Sequence, residues 1–121
     1  GHTFAHSIEK ELNYKIRHGE AVSVGLLMSA KMSILLNIAK PNTFNLIKAH
    51  HSKLNLPISL KCLDKKKNWN AKSLVKNMLL DKKRTDKNIK FILLKDIGKA
   101  FIENKVKEEI IVLTINEFID V

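Results

Sequence analysis

The sequence has little of several things, and each shortage removes a class of protein. It has one cysteine, Cys62, so no internal disulfide framework and no all-cysteine zinc site can be built within the chain. Two prolines and four glycines leave no low-complexity linker. No apolar run is long enough to span a bilayer: the best stretch, Ala21 to Ile38, is interrupted by Ser23, Ser29, Lys31, Ser33 and Asn37. The opening segment GHTFAHSIEK lacks the basic region and apolar core of a targeting peptide. Arginine is also scarce. Only 2 of the 22 basic residues are Arg, and 14 Ile and 11 Asn accompany the lysines, a mixture that points to compositional drift rather than a surface built from arginine forks.

What is present fits one folded domain. The 121 residues are 45% hydrophobic, which separates them from disordered tails, and this length removes roughly two-thirds of the unfolded surface from water. The formal charge is +10, and residues 61–90 hold most of it, with 11 basic and 3 acidic side chains. That block is the one argument for a basic helical nucleic-acid-binding module. No helix-turn-helix, zinc-finger or RNP-like pattern supports it.

Periodicity predicts a mostly α fold, a helical bundle with a small β-hairpin. A short helix covers 2–13, with Phe4, Ile8 and Leu12 inward, and the segment Asn13 to Arg17 turns the chain. A second helix runs from His18 or Gly19 to about Ile38. It is apolar on nearly every side, so it belongs in the middle of the bundle, and Gly25 there implies close packing. Lys40–Pro41–Asn42 marks a boundary. A third helix carries Phe44, Ile47 and Leu54 and stops before Pro57, with His50 and His51 on the surface. Residues 58–68 read as an irregular lysine-rich connection in which Cys62 has no partner. Asn70 caps a fourth helix through Leu80. Ile89–Leu94 and Ala100–Ile102 form a hairpin about a turn at Lys95 to Gly98. A last helix presents Val106, Ile110, Leu113 and Glu117 on one side, with Ile111, Ile115 and Phe118 widening its apolar surface.

Three of the five histidines fall within the first 18 residues. His2 and His6, at i and i+4, share one helix face, and Glu9 stands one turn beyond His6. A turn between Leu12 and Arg17 can return His18 beside them. Two imidazoles from different elements suit a divalent metal such as zinc, which is one ligand short of its usual three. The alternative is structural: His2 near a loose terminus, His6 and His18 capping helices or pairing with Glu9 and Glu20. Glu20 in the first turn of a helix is favourable on electrostatic grounds alone. On residue type alone, Lys82 and Lys83 read as solvated charge after a helix.

Four segments in order carry a family resemblance. GHTFAHSIEKELNY (1–14) with RHGEAVSVGLLMSAKMS (17–33) resembles the pattern GHTFGHAIE…HGEAVAIGM of the 3-dehydroquinate synthases. LNLPISL (54–60) resembles that family's GLP segment, and MLLDKKRTDKNIKFILLKDIGKA (78–100) its DKK…RFVLL block. The resemblance covers nearly the whole chain. Ala5 stands where a glycine is common and Ser7 where an alanine is, and a loop glycine is replaced at 86–88.

The resemblance implies that residues 1–121 are the helical C-terminal domain of a two-domain, NAD-dependent and metal-dependent lyase. It implies an N-terminal NAD-binding domain absent from this chain, whose opening inside its best motif suggests a piece of a longer protein. Metal ligands, for zinc or cobalt, fall on His2 and His18, with a third ligand, a glutamate, upstream. His6 handles protons, and one of Lys82 and Lys83 contacts the substrate's acidic groups. Apart from the resemblance, Glu9 is expected to orient the His6 ring or hold a proton, and Glu20 to partner His18. The implied reaction converts 3-deoxy-D-arabino-heptulosonate 7-phosphate to 3-dehydroquinate and phosphate, on the shikimate route to aromatic amino acids. A cytoplasmic enzyme, with its own N-terminal domain and a sugar phosphate as partners and open to homodimer formation, is expected; no nucleic acid or membrane partner is. Another sugar-phosphate cyclase, such as a 2-deoxy-scyllo-inosose synthase-like enzyme, shares the metal histidines. The isolated domain is expected to be inactive.

Overall fold

The computed structural model describes residues 2–85 and 88–119. Among the described residues there are six helices and one hairpin: α1 (His2–Glu11), α2 (His18–Leu35), α3 (Pro41–Lys53), α4 (Leu60–Leu63), α5 (Ala71–Thr85), β1 (Phe91–Asp96), β2 (Lys99–Glu103) and α6 (Glu108–Asn116). The architecture is the mostly α bundle with an appended hairpin that periodicity predicts. No helix among these residues is long and apolar enough to cross a membrane.

The central element is α2. Ala21, Val24, Leu27, Met28 and Met32 are fully buried on it, because neighbours cover it from several directions: α1, α3, α4, α6 and β1 all pack against it. Each large side chain withdrawn in this way contributes about 1.5–3 kcal/mol. Gly25 is buried in the same helix. Two of the serines that interrupt its apolar pattern have hydrogen-bond partners. Ser23 Oγ donates to the Pro57 carbonyl at 2.8 Å, and Ser33 Oγ donates to the Ser29 carbonyl at 2.8 Å while accepting the Leu94 N–H at 2.9 Å. A buried hydroxyl in this position ties the hairpin to the bundle.

Helix ends explain the turns. α1 stops at Glu11, earlier than the expected 13, because Asn13 and Tyr14 adopt left-handed backbone (φ 53° and 60°) and their N–H groups return to the Lys10 and Glu9 carbonyls. α2 likewise stops at Leu35 rather than Ile38, followed by left-handed Asn37 (φ 59°). Pro41 opens α3 at the position where its missing N–H has no cost.

The hairpin pairs Ile92 with Ile102 and Leu93 with Phe101, in antiparallel register. Phe91 and Leu93 point inward, and the Phe91 ring lies 5.2 Å from Phe4 of α1.

Several expectations need correction. His51 is buried, not on the surface: it is 6% exposed, and its Nδ1 is 3.0 Å from the Ile47 carbonyl one turn back. His50 is exposed. The connection at 58–68 contains the helix α4, whose Leu60 is fully buried and donates its N–H to the Phe118 carbonyl at 3.1 Å. Cys62 is exposed but has a partner, since Ser59 Oγ donates to Sγ at 3.2 Å. That hydrogen bond, with a second from the backbone at Ile58, holds the thiol below its ordinary range against the opposing effect of burial. α5 does not end at Leu80 but continues to Thr85, which puts Lys82 and Lys83 inside a helix rather than after one. On α6 the buried side is Ile111, Thr114, Ile115 and Phe118, whereas Leu113 and Glu117 are exposed and Val106 and Ile110 half-buried. The replaced loop glycine falls partly on 86 and 87, outside the described residues.

Candidate functional site

The site forms where α1 lies between α2 and α5. Ser7 Oγ on α1 donates to the Leu74 carbonyl at 2.6 Å, and Asn77 Nδ2 donates to the Ser7 carbonyl and to Glu11 Oε1. Glu11 also accepts from Ser73 Oγ at 2.8 Å and pairs with Lys67 at 3.3 Å. Burial alone would raise the Glu11 carboxyl pKa, but these donors together pull it below its ordinary range. Residues 74, 77 and 81 of α5 thus face α1 at successive turns, and Asp81 lies 4.0 Å from Lys10.

The first turn of α1 and the first residue of α2 meet on the same side. The ring centroids of His2 and His18 are 5.7 Å apart, those of His2 and His6 are 5.7 Å apart, and those of His6 and His18 are 6.3 Å apart. All three side chains are exposed. An ion about 2.0–2.1 Å from one nitrogen of each of two imidazoles, in tetrahedral geometry, sets their centroids roughly 5 Å apart. The His2–His18 centroid spacing is close to that value, which is compatible with one shared divalent ion. Among the described residues, no group of three or more His, Cys, Asp or Glu is arranged to hold a metal by itself. An ion here therefore needs donors from beyond these residues.

The two acids divide between different tasks. Glu9 Oε1 is 3.0 Å from His18 Nδ1. A proton on Nδ1 in that contact leaves the other ring nitrogen with its lone pair free, the state a liganding imidazole needs. Glu20 does not take His18. Its carboxylate accepts the Arg17 N–H at 3.4 Å, closing the first turn of α2. Glu9, one turn from His6 in sequence, spends its oxygen on His18 across the α1–α2 turn.

Two clefts flank His6. One, of about 280 Å³, is lined by Thr3, His6, Met78, Asp81, Lys82, Arg84, Asn88, Ile89 and Lys90. The second, of about 290 Å³, is lined by His6, Glu9, Tyr14, His18, Asp81 and Arg84. Lys82 lines the first, and Lys83, also exposed, lines neither. The α5 residues that face these clefts, Asp81, Lys82 and Arg84, follow the helical period that brings Leu74 and Asn77 to α1. Thr3 Oγ1 donates to the Lys90 carbonyl and fixes one wall. Arg84 and Lys90 are lining residues that the motifs did not single out. Their signal was present in the helical face shared by 77, 81 and 84 and in the strand entering at residue 91.

The family profile of the 3-dehydroquinate synthase C-terminal domain matches residues 1–84. Curated relatives include the 3-dehydroquinate synthases of Endomicrobium trichonymphae (41% identical) and Ruthia magnifica subsp. Calyptogena magnifica (43%). Each aligns over 98% of this chain, and over 31% and 32% of the relative respectively. The enzyme of Campylobacter concisus (strain 13826) is 39% identical over 98% of this chain and 33% of its own length. The chain thus spans about a third of the length of these relatives. Among solved structures, a 2-deoxy-scyllo-inosose synthase complexed with carbaglucose-6-phosphate, NAD+ and Co2+ superposes with a TM-score of 0.69. It is 27% identical, over 97% of this chain and 32% of that one. On the matched profile and these relatives, the chain belongs to the 3-dehydroquinate synthase C-terminal family.

Proposed function

We propose that this chain is the C-terminal, metal- and substrate-binding domain of a cytoplasmic 3-dehydroquinate synthase. The full-length protein, with an N-terminal NAD-binding domain, converts 3-deoxy-D-arabino-heptulosonate 7-phosphate to 3-dehydroquinate and phosphate. The observation that carries this reading is the convergence of the His2 and His18 rings, 5.7 Å apart on neighbouring helices, beside a cleft with a cationic rim. The names of the curated relatives support the reaction, and the NAD+ and Co2+ of the structural neighbour support the cofactors.

His2 and His18 would hold zinc or cobalt, with an upstream glutamate as third ligand. A divalent ion bound there supplies Lewis-acid polarisation of substrate hydroxyls, and NAD on the other domain supplies reversible hydride acceptance. This chain's own residues bind, orient and move protons. Glu9 fixes the His18 ring by its 3.0 Å contact. Glu20 holds the start of α2, and so the His18 backbone, in place. His6, exposed between the two clefts, carries a proton to or from the substrate at an imidazole nitrogen. Lys82 directs its ammonium at an acidic substrate group, and Lys83 is left to solvent. With part of the metal's coordination and the NAD site on segments outside this chain, the isolated domain is inactive.

The 2-deoxy-scyllo-inosose synthase likeness favours a second reading, another sugar-phosphate cyclase. Offering the full-length protein each sugar phosphate separately decides between them. Formation of 3-dehydroquinate from the heptulosonate is expected, and its absence rejects the first reading.

A further inference from the structure

Arg84 is one of only two arginines in the chain, and it stands where the two clefts beside His6 meet. Its Nη2 lies 3.3 Å from Asp81 Oδ1, one helical turn back, a surface contact that places the guanidinium at the rim. Among the described residues, Asp81 is the one acid on the wall of the first of these clefts, and it already serves Lys10 and Arg84. Against it stand three permanent cations, Lys82, Arg84 and Lys90, with the His6 ring and the Thr3 side chain beside them. The rim is therefore net positive and retains donor capacity, because a guanidinium has five N–H groups and the carboxylate contact occupies only part of the fork.

From this geometry we infer that Arg84, in contact with Asp81, is a specificity-determining residue that contacts an oxyanion of the substrate at the junction of the two clefts. The inference deepens the proposed function and rests on it for the identity of the substrate. The chemistry recognised is a tetrahedral or planar oxyanion, which the guanidinium fork can engage through two parallel N–H···O bonds. Lysine at the same place would offer a point charge without the fork.

The test uses the full-length protein with Arg84→Gln and Arg84→Lys. Arg84 is largely exposed, at 76% of its side chain, so both variants should melt with wild type. For Arg84→Gln, KM for the heptulosonate phosphate should rise about tenfold, with a smaller change in kcat, and Arg84→Lys should restore part of the loss. Product inhibition separates the two oxyanions. A raised inhibition constant for inorganic phosphate assigns Arg84 to the phosphate, and a raised constant for 3-dehydroquinate assigns it to the carboxylate. Unchanged KM and unchanged inhibition by both products, in an active wild-type background, would overturn the inference. Should wild type not turn over the heptulosonate, the proposed function fails. Calorimetry with inorganic phosphate and with acetate as a carboxylate probe then still decides the arginine: weaker binding of either by Arg84→Gln supports it, and equal binding of both overturns it.

Discussion

His18 Nδ1 lies 3.0 Å from Glu9 Oε1, although the two residues belong to different helices and are separated by a turn with two left-handed residues. The Glu9 side chain is mostly buried, and the His18 side chain is about half exposed. A fixed acceptor thus orients a ring whose outer nitrogen remains accessible.

Removing that acceptor should loosen the ring. In the full-length protein, Glu9→Ala should weaken zinc or cobalt binding by about tenfold or more, the usual effect of losing the partner of a liganding histidine. Glu9→Gln should lose less, because its amide oxygen can still accept. Competition with a chelator of known affinity reads both values, and unchanged affinity in Glu9→Ala would refute the orienting role.

Stability should depend on pH through Glu11. Its carboxyl titrates below the ordinary value of 4.5 when folded, because the bonds from Ser73, Asn77 and Lys67 outweigh the opposing effect of burial. A depressed carboxylate stabilises the fold fully above the unfolded value. That contribution disappears as pH falls through the lower folded value. Urea unfolding of the 121-residue chain between pH 3 and 7 should show this decline. Glu11→Gln should flatten the decline and cost about 1–2 kcal/mol at pH 7.

The hairpin depends on one hydroxyl. Ser33→Ala deprives the Leu94 N–H of its acceptor inside the bundle and should cost about 1–3 kcal/mol in urea unfolding. Faster hydrogen exchange at Leu94 should accompany the loss.

Phe91 is the apolar counterpart of that tie. Its ring is 1% exposed and 5.2 Å from Phe4, so Phe91→Ala should cost about 3–5 kcal/mol, and Phe91→Leu distinctly less. Equal losses in the two variants would mean that the site collapses around either side chain.

Much of this arrangement was legible because apolar spacing records burial. The breadth of α2 announced a central helix, and the period change at residue 89 announced the hairpin. Where charge replaced apolar spacing, the record failed. The run Asp81–Lys82–Lys83–Arg84 has no hydrophobic period, so periodicity ends α5 at Leu80 although the helix continues to Thr85. His51 is legible in the spacing: at i+4 from Ile47 and i+7 from Phe44, it falls on the inward stripe of α3. Leu60 was hidden because the bond that fixes its backbone, from its N–H to the Phe118 carbonyl, comes from a residue distant in sequence. For α6, both sides carry isoleucine or leucine, and only packing against α2 and α5 decides which is covered. The histidine cluster was visible in spacing and motif. The choice between Glu9 and Glu20 for His18 was not, because it depends on how the turn at Asn13 and Tyr14 aims α2.

The central claim is that His2 and His18 share one divalent ion. Crystals of the full-length protein grown with Co2+, with anomalous diffraction collected at the cobalt edge, test it directly. The account predicts one strong anomalous peak about 2.0–2.2 Å from a ring nitrogen of both histidines. A peak bound elsewhere, or one ligated by neither ring, would contradict it.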